Sequence, residues 1–151
     1  MMGTPTETMR RRITWGDLDS LGIVFYPRYY EWIDEASHVF FDKIGLNLGR
    51  LLRERSIIFA LLETGCRYLR PGRYHDEIEI FTGLSELRDK TFTMRHEIRL
   101  SESGDLLVEA YEKRICIKVL DEAKFEAQRI PDDIFTVLKG AELDQEIDKR
   151  S

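Results

Sequence analysis

Cysteine and histidine are scarce, two and three among 151 residues. Cys66 and Cys116 lie far apart with no CxxC, which excludes a disulfide framework and leaves too few ligands for a metal site. Reduced, structural thiols and no metal are expected. His38 falls on a polar helix stripe, His75 in a turn and His96 on the apolar face of a strand, so no Ser/His/Asp arrangement suggests itself. A hydrogen-bonded core position is the expectation for His96. A formal charge of −5 gives no basic field, and nucleic acid is not expected as a partner. No apolar run approaches the roughly 20 residues of a membrane span, and MMGTPTETMRRR lacks the apolar centre of a signal peptide. A cytoplasmic protein with no membrane partner is expected. There is no GxGxxG and no P-loop, and no cofactor is expected.

What is present is ordinary for a globular chain, with 42% hydrophobic and 34% charged residues. One domain over residues 1–151 is predicted, with loose tails at 1–8 and 141–151. Pro27 suits the first turn of a helix, and polar residues recur after it at Arg28, Glu31, Glu35, His38 and Asp42. That spacing is one solvated stripe on a helix otherwise apolar from Tyr29 to Ile44. A second, short helix or turn is read over Asn47 to Arg55.

Strands follow. Ser56 to Leu69 puts Ile58, Ala60, Leu62, Thr64, Cys66 and Tyr68 on one parity, with Gly65 marking a bulge or a close backbone approach. Glu77 to Leu84 turns Ile78 and Ile80 inward. Thr91 to Leu100 sets Phe92, Met94, His96 and Ile98 against Arg95, Glu97 and Arg99. After the SESGD hairpin, Leu106 to Leu120 carries Tyr111, Ile115, Ile117 and Val119 on one side, and Pro131 opens a short final helix. One long helix and hairpin-linked strands give an α+β class, in which the sheet buries its apolar face against that helix.

The chain is organised around WGDLDSLGIVFYPRYYEW, Trp15 to Trp32. Asp17 and Asp19 precede a turn at Ser20 to Gly22, and the turn delivers the chain to the helix start, whose backbone N–H groups favour negative charge. On the residues alone, the two aspartates either shape the turn or carry chemistry.

Together with EIEIFTGLSELRDKTFTMRHEI, this segment resembles the hotdog-fold acyl-CoA thioesterases, and within them the bacterial 4-hydroxybenzoyl-CoA thioesterases, from about Ile13 to Ile134. The resemblance implies a curved antiparallel sheet wrapped around a central helix, in a homodimer or homotetramer with active sites at the subunit interface. It implies an acyl-CoA substrate, an aromatic acyl group, Asp19 as nucleophile or general base, and the Tyr26 backbone N–H as oxyanion donor. Asp17 is then expected to hold the loop. Gly65 is a second candidate beside the acyl group. Glu63 is an alternative carboxylate, with pairing to a neighbouring Arg favoured. Arg88 and Lys90 in ELRDKTF are placed on the CoA phosphates, with Arg129 as a third candidate; Asp89 departs from the family's basic character there. Two other readings are a hotdog enoyl-CoA hydratase, which normally pairs Asp with His in one motif, and a non-catalytic acyl-CoA binding module.

Overall fold

Residues 5–143 are described by the computed structural model. Six strands make one antiparallel sheet: β1 (Thr6–Arg12), β2 (Ile57–Tyr68), β3 (Glu77–Ser85), β4 (Thr91–Leu100), β5 (Leu106–Asp121) and β6 (Lys124–Ala127). Their order is β1-β3-β4-β5-β2, with β6 paired to the far end of β5. Helix α1 (Pro27–Lys43) lies across one face, joined by α2 (Leu48–Arg55) and α3 (Asp132–Ala141). Among the described residues, no helix is long and apolar enough to cross a membrane.

The long helix forms where Pro27 and the 3.6-residue pattern place it, and buries Tyr29, Trp32, Ile33, Ala36, Phe40 and Phe41. Against it lie Ile78, Ile80 and Leu84 of β3 and Phe92, Met94 and Ile98 of β4, all below 1% exposed. Each such side chain contributes roughly 2 kcal/mol of apolar burial. The core is two clusters. One gathers Phe40, Phe41, Phe59, Phe92, Met94, Ile130 and Leu138. The other gathers Ile13, Val24, Tyr29, Trp32, Ile78, Ile98 and Val108.

Two strands differ from the alternation read in the sequence. In β2 the pairs Leu61↔Arg114 and Glu63↔Lys113 leave Leu62 as a bulge, so Ile57 and Phe59 point inward before it and Thr64 and Cys66 after it. The bulge is therefore at Leu62, and Gly65 pairs regularly with Tyr111. In β5 the buried parity is Val108, Ala110, Glu112, Arg114 and Cys116, while Tyr111, Ile115, Ile117 and Val119 are only partly covered on the other face. Charges can occupy the inner face because they pair with one another, as described below. At the tails, Thr6 to Thr8 belong to β1, with Thr8 buried, and Glu142 and Leu143 are buried beyond α3. Residues 1–4 and 144–151 of those predicted loose tails lie outside the described residues.

Candidate active site

The segment between β1 and α1 is tied down at both aspartates, in different ways. Asp17 is 6% exposed; its Oδ2 accepts from Thr14 N (2.9 Å), Thr14 Oγ1 (3.0 Å) and Arg11 Nη2 (3.0 Å). Burial alone would raise its pKa, but the Thr14 donors and the Arg11 guanidinium outweigh that and hold the carboxyl below its usual range. Asp17 is thus an ionised strut. Asp19 is half-buried: Oδ1 accepts from Leu21 N at 2.8 Å, and among the described residues Oδ2 has no partner. Gly22, at φ +77°, closes the turn by donating to Asp19 O, and Asp19 N donates to Ile23 O.

The turn then returns along itself through the Leu18↔Val24 bridge, and Val24 N is held by Gly72 O at 3.0 Å. Gly72 N in turn donates to the buried Tyr29 hydroxyl at 3.0 Å. These contacts fix Tyr26 as the residue that caps the N-terminus of α1. Phe25 N is used by Asp17 O, and Pro27 has no N–H, whereas the Tyr26 N–H has no acceptor among the described residues. A bound Asp17, a half-free Asp19 and an open helix-start N–H therefore share one turn.

Beside the turn is a cleft of about 290 Å³, lined by Ile23, Val24, Tyr26, Tyr29, Tyr68 and Pro71 among others. Tyr29 and Tyr68 meet with ring centroids 5.7 Å apart. Burial raises the Tyr68 pKa, with Cys66 and Tyr30 adding to the effect, and burial likewise pushes the Cys66 thiol up. Both groups stay protonated at neutral pH, so Cys66 is no thiolate nucleophile. The contribution of Tyr68 and Pro71 to this cleft was not legible in sequence, because it depends on the Ile23↔Arg73 bridge.

The other candidates fall elsewhere. Glu63 accepts from the Tyr111 hydroxyl at 2.8 Å, so its partner is a phenol, and among the described residues no arginine pairs with it as expected. Gly65 lies under that same ring: a Cβ on it would sit 2.7 Å from Tyr111 Cε1, so the glycine answers a close approach by Tyr111. Arg88 and Lys90 are exposed at the β3–β4 hairpin tip, with no side-chain ion pair among the described residues. Arg129 lands beside them, but its Nε donates to Asp89 Oδ1 at 2.8 Å, which also cancels the acidic residue.

His96 is 2% exposed and fully partnered, with Thr82 Oγ1 at 2.9 Å from Nδ1 and Glu112 Oε1 at 2.8 Å from Nε2. Ser37 donates to the same Glu112 oxygen, and Arg114 Nη2 reaches Glu112 Oε2 at 2.6 Å and Asp34 Oδ1 at 3.4 Å. Burial opposes ionisation of Glu112, yet His96, Arg114 and Ser37 together lower its pKa to about 2. The sequence signal that was missed is the same-face spacing of Glu112 and Arg114 within an apolar strand. Among the described residues no group of three or more metal-ligating side chains occurs.

A curved antiparallel sheet packed on one long helix, with a carboxylate turn at the helix start, is the hotdog fold, and the class is that of thioester hydrolases. The chain belongs to the thioesterase-like superfamily, whose family model matches residues 13–148. It is 34% identical over 131 residues to the 4-hydroxybenzoyl-CoA thioesterase of Pseudomonas sp. strain CBS-3, an alignment covering 83% of this chain and 92% of that one. A mutant of 4-hydroxybenzoyl CoA thioesterase complexed with 4-hydroxybenzoyl CoA superimposes with a TM-score of 0.78 at 31% identity, over 86% of this chain and 96% of that one. A gentisyl-coenzyme A thioesterase gives a TM-score of 0.73 at 32% identity, over 83% and 97%.

Proposed function

We propose that this chain hydrolyses the thioester of an aromatic acyl-CoA, with Asp19 as nucleophile or general base and the Tyr26 N–H as oxyanion donor. The observation that carries this reading is the open Tyr26 N–H at the positive end of α1, in the same turn as a carboxylate with one unoccupied oxygen. The thioester carbonyl oxygen gains negative charge on attack, and a fixed N–H at a helix start stabilises it. Asp19 Oδ2 either attacks the carbonyl carbon, expelling the CoA thiolate and leaving a mixed anhydride for water, or takes a proton from an attacking water. Both routes yield a carboxylate and free CoA thiol. The aromatic walls of Tyr26, Tyr29 and Tyr68 suit a planar acyl group, in keeping with the hydroxybenzoyl and gentisyl substrates of the two relatives.

Phosphate recognition falls to Arg88 and Lys90, since Arg129 is engaged by Asp89. These cations stand at the wrong end of their own chain. Lys90 O accepts from Cys116 N, and Cys116 pairs with Phe59, while the Asp19 turn and its cleft lie by Tyr68. Nine residue steps along β2 separate those ends by about 30 Å. Strand β2 is also an edge of the sheet, with Leu61 and Leu62 exposed on it. Antiparallel pairing of β2 with its copy across a two-fold axis brings the hairpin of one protomer to the Asp19 turn of its partner. The reading is therefore a homodimer, or a pair of dimers, with each site shared.

The test is Asp19→Asn, assayed by free-thiol release from 4-hydroxybenzoyl-CoA. A loss of kcat of at least about 10²-fold with retained binding is expected. Turnover near that of the parent protein would refute the assignment.

A further inference from the structure

We propose that Glu142 is a positioning residue for the CoA-gripping hairpin, a role that rests on the reading of Arg88 and Lys90 as phosphate ligands. Among the described residues, strand β1 pairs with β3 as far as Thr6↔Thr82, and the edge of β3 beyond Thr82 lies outside that ladder. The chain leaving α3 takes this edge: Glu142 forms a parallel bridge with Leu84, and Leu143 N donates to Leu84 O at 2.7 Å. Leu143 then covers Gly83, where a Cβ would come within 2.5 Å of its side chain. This strap places the Glu142 carboxylate under the hairpin tip.

There, Glu142 Oε2 accepts from Leu87 N at 3.1 Å, while Oε1 accepts from Lys139 Nζ at 2.9 Å. The residue is 4% exposed, and a carboxylate is costly to withdraw from water. An apolar side chain would fill the same space without that cost, but it would leave the Leu87 N–H unpaired. The tip needs such a partner because Glu86 precedes it at φ +50°, a left-handed conformation unfavourable for a side-chain-bearing residue. Leu87 packs against the core cluster, and the next residues outward are Arg88 and Lys90. On the far side, Ile130 N holds Asp89 O at 2.9 Å. Glu142 thus fixes the entry to the tip as Ile130 fixes its exit, and two rotamer-rich cations project from a rigid base.

The experiment compares Glu142→Ala, Glu142→Gln and the Arg88→Ala/Lys90→Ala double variant on 4-hydroxybenzoyl-CoA and on 4-hydroxybenzoyl-pantetheine, which lacks the nucleotide. Glu142→Ala is expected to raise KM for the CoA substrate about fivefold with little change in kcat, and to leave KM for the pantetheine substrate unchanged. Glu142→Gln keeps an acceptor for Leu87 and is expected to restore most of the loss. Added to the double variant, Glu142→Ala should raise KM no further, because its effect passes through those two cations. If the double variant raises KM for CoA but Glu142→Ala does not, or raises both substrates alike, the positioning role is overturned and the phosphate reading stands. If the double variant itself leaves KM unchanged, the phosphate reading fails and the positioning role falls with it.

Discussion

Replacing Glu112 with Gln gives the most quantitative test of the buried polar network. Its carboxyl ionises at about 2 in the folded protein against an ordinary 4.5, despite the burial that works the other way. A depressed carboxyl stabilises the fold above the unfolded-state value, and the contribution disappears as pH falls from about 4.5 to about 2. The displacement corresponds to about 3 kcal/mol at most, spread over the contacts from His96, Arg114 and Ser37. Glu112→Gln removes that pH dependence, and also leaves Arg114 buried with, among the described residues, only the exposed Asp34 as an anionic partner. At pH 7 a loss of about 3 kcal/mol follows, since breaking a buried pair from one side strands the other charge. The assay is urea unfolding followed by circular dichroism from pH 2 to 7, at one protein concentration so that any self-association enters both curves alike. The parent curve should fall more steeply than the variant's between pH 4.5 and 2, and the two should converge in acid. Parallel curves over that interval would refute the ionised network.

Asp17→Asn should lower urea stability by about 1–3 kcal/mol through its lost charge-assisted bonds, while kcat stays within a few-fold. A collapse of turnover at unchanged stability would move the chemistry to Asp17. The shared site is tested by mixing Asp19→Asn with Arg88→Ala/Lys90→Ala and allowing subunits to exchange: random pairing restores about a quarter of the sites to parental KM and kcat. No restoration would place both elements in one protomer.

Much of the fold was legible because two signals were strong. Pro27 and the stripe from Arg28 to Asp42 define α1, and the alternation from Phe92 to Ile98 defines β4, including a core position for His96. Where the inward parity was misread, the cause was specific. The Leu62 bulge shifts the phase of β2 midway, so a single parity cannot describe the strand. In β5, Ile115 and Ile117 outscored Glu112 and Arg114 on hydrophobicity, but two opposite charges two residues apart on one face can neutralise each other inside. Of the candidate site, the Asp19 turn was visible in its own residues. Glu63 with Tyr111, Arg129 with Asp89 and Leu87 with Glu142 join residues 40 or more positions apart, and no local pattern encodes them.

The polar network also divides the interior. Thr82, His96, Ser37 and Glu112 cross the sheet–helix interface between the two apolar clusters, and Thr8 extends the line through Thr82. On one side, Tyr29, Val24 and Ile13 back the aromatic cleft; on the other, Leu84, Ile130 and Leu138 carry the hairpin. On the proposed reading, acyl recognition and nucleotide recognition are mounted on these two separate foundations, with the polar seam between them. If that reading holds, a lineage can reshape the cleft around the acyl group without disturbing the hairpin proposed to grip CoA. One scaffold can then diversify in what it cleaves without relearning how to hold it.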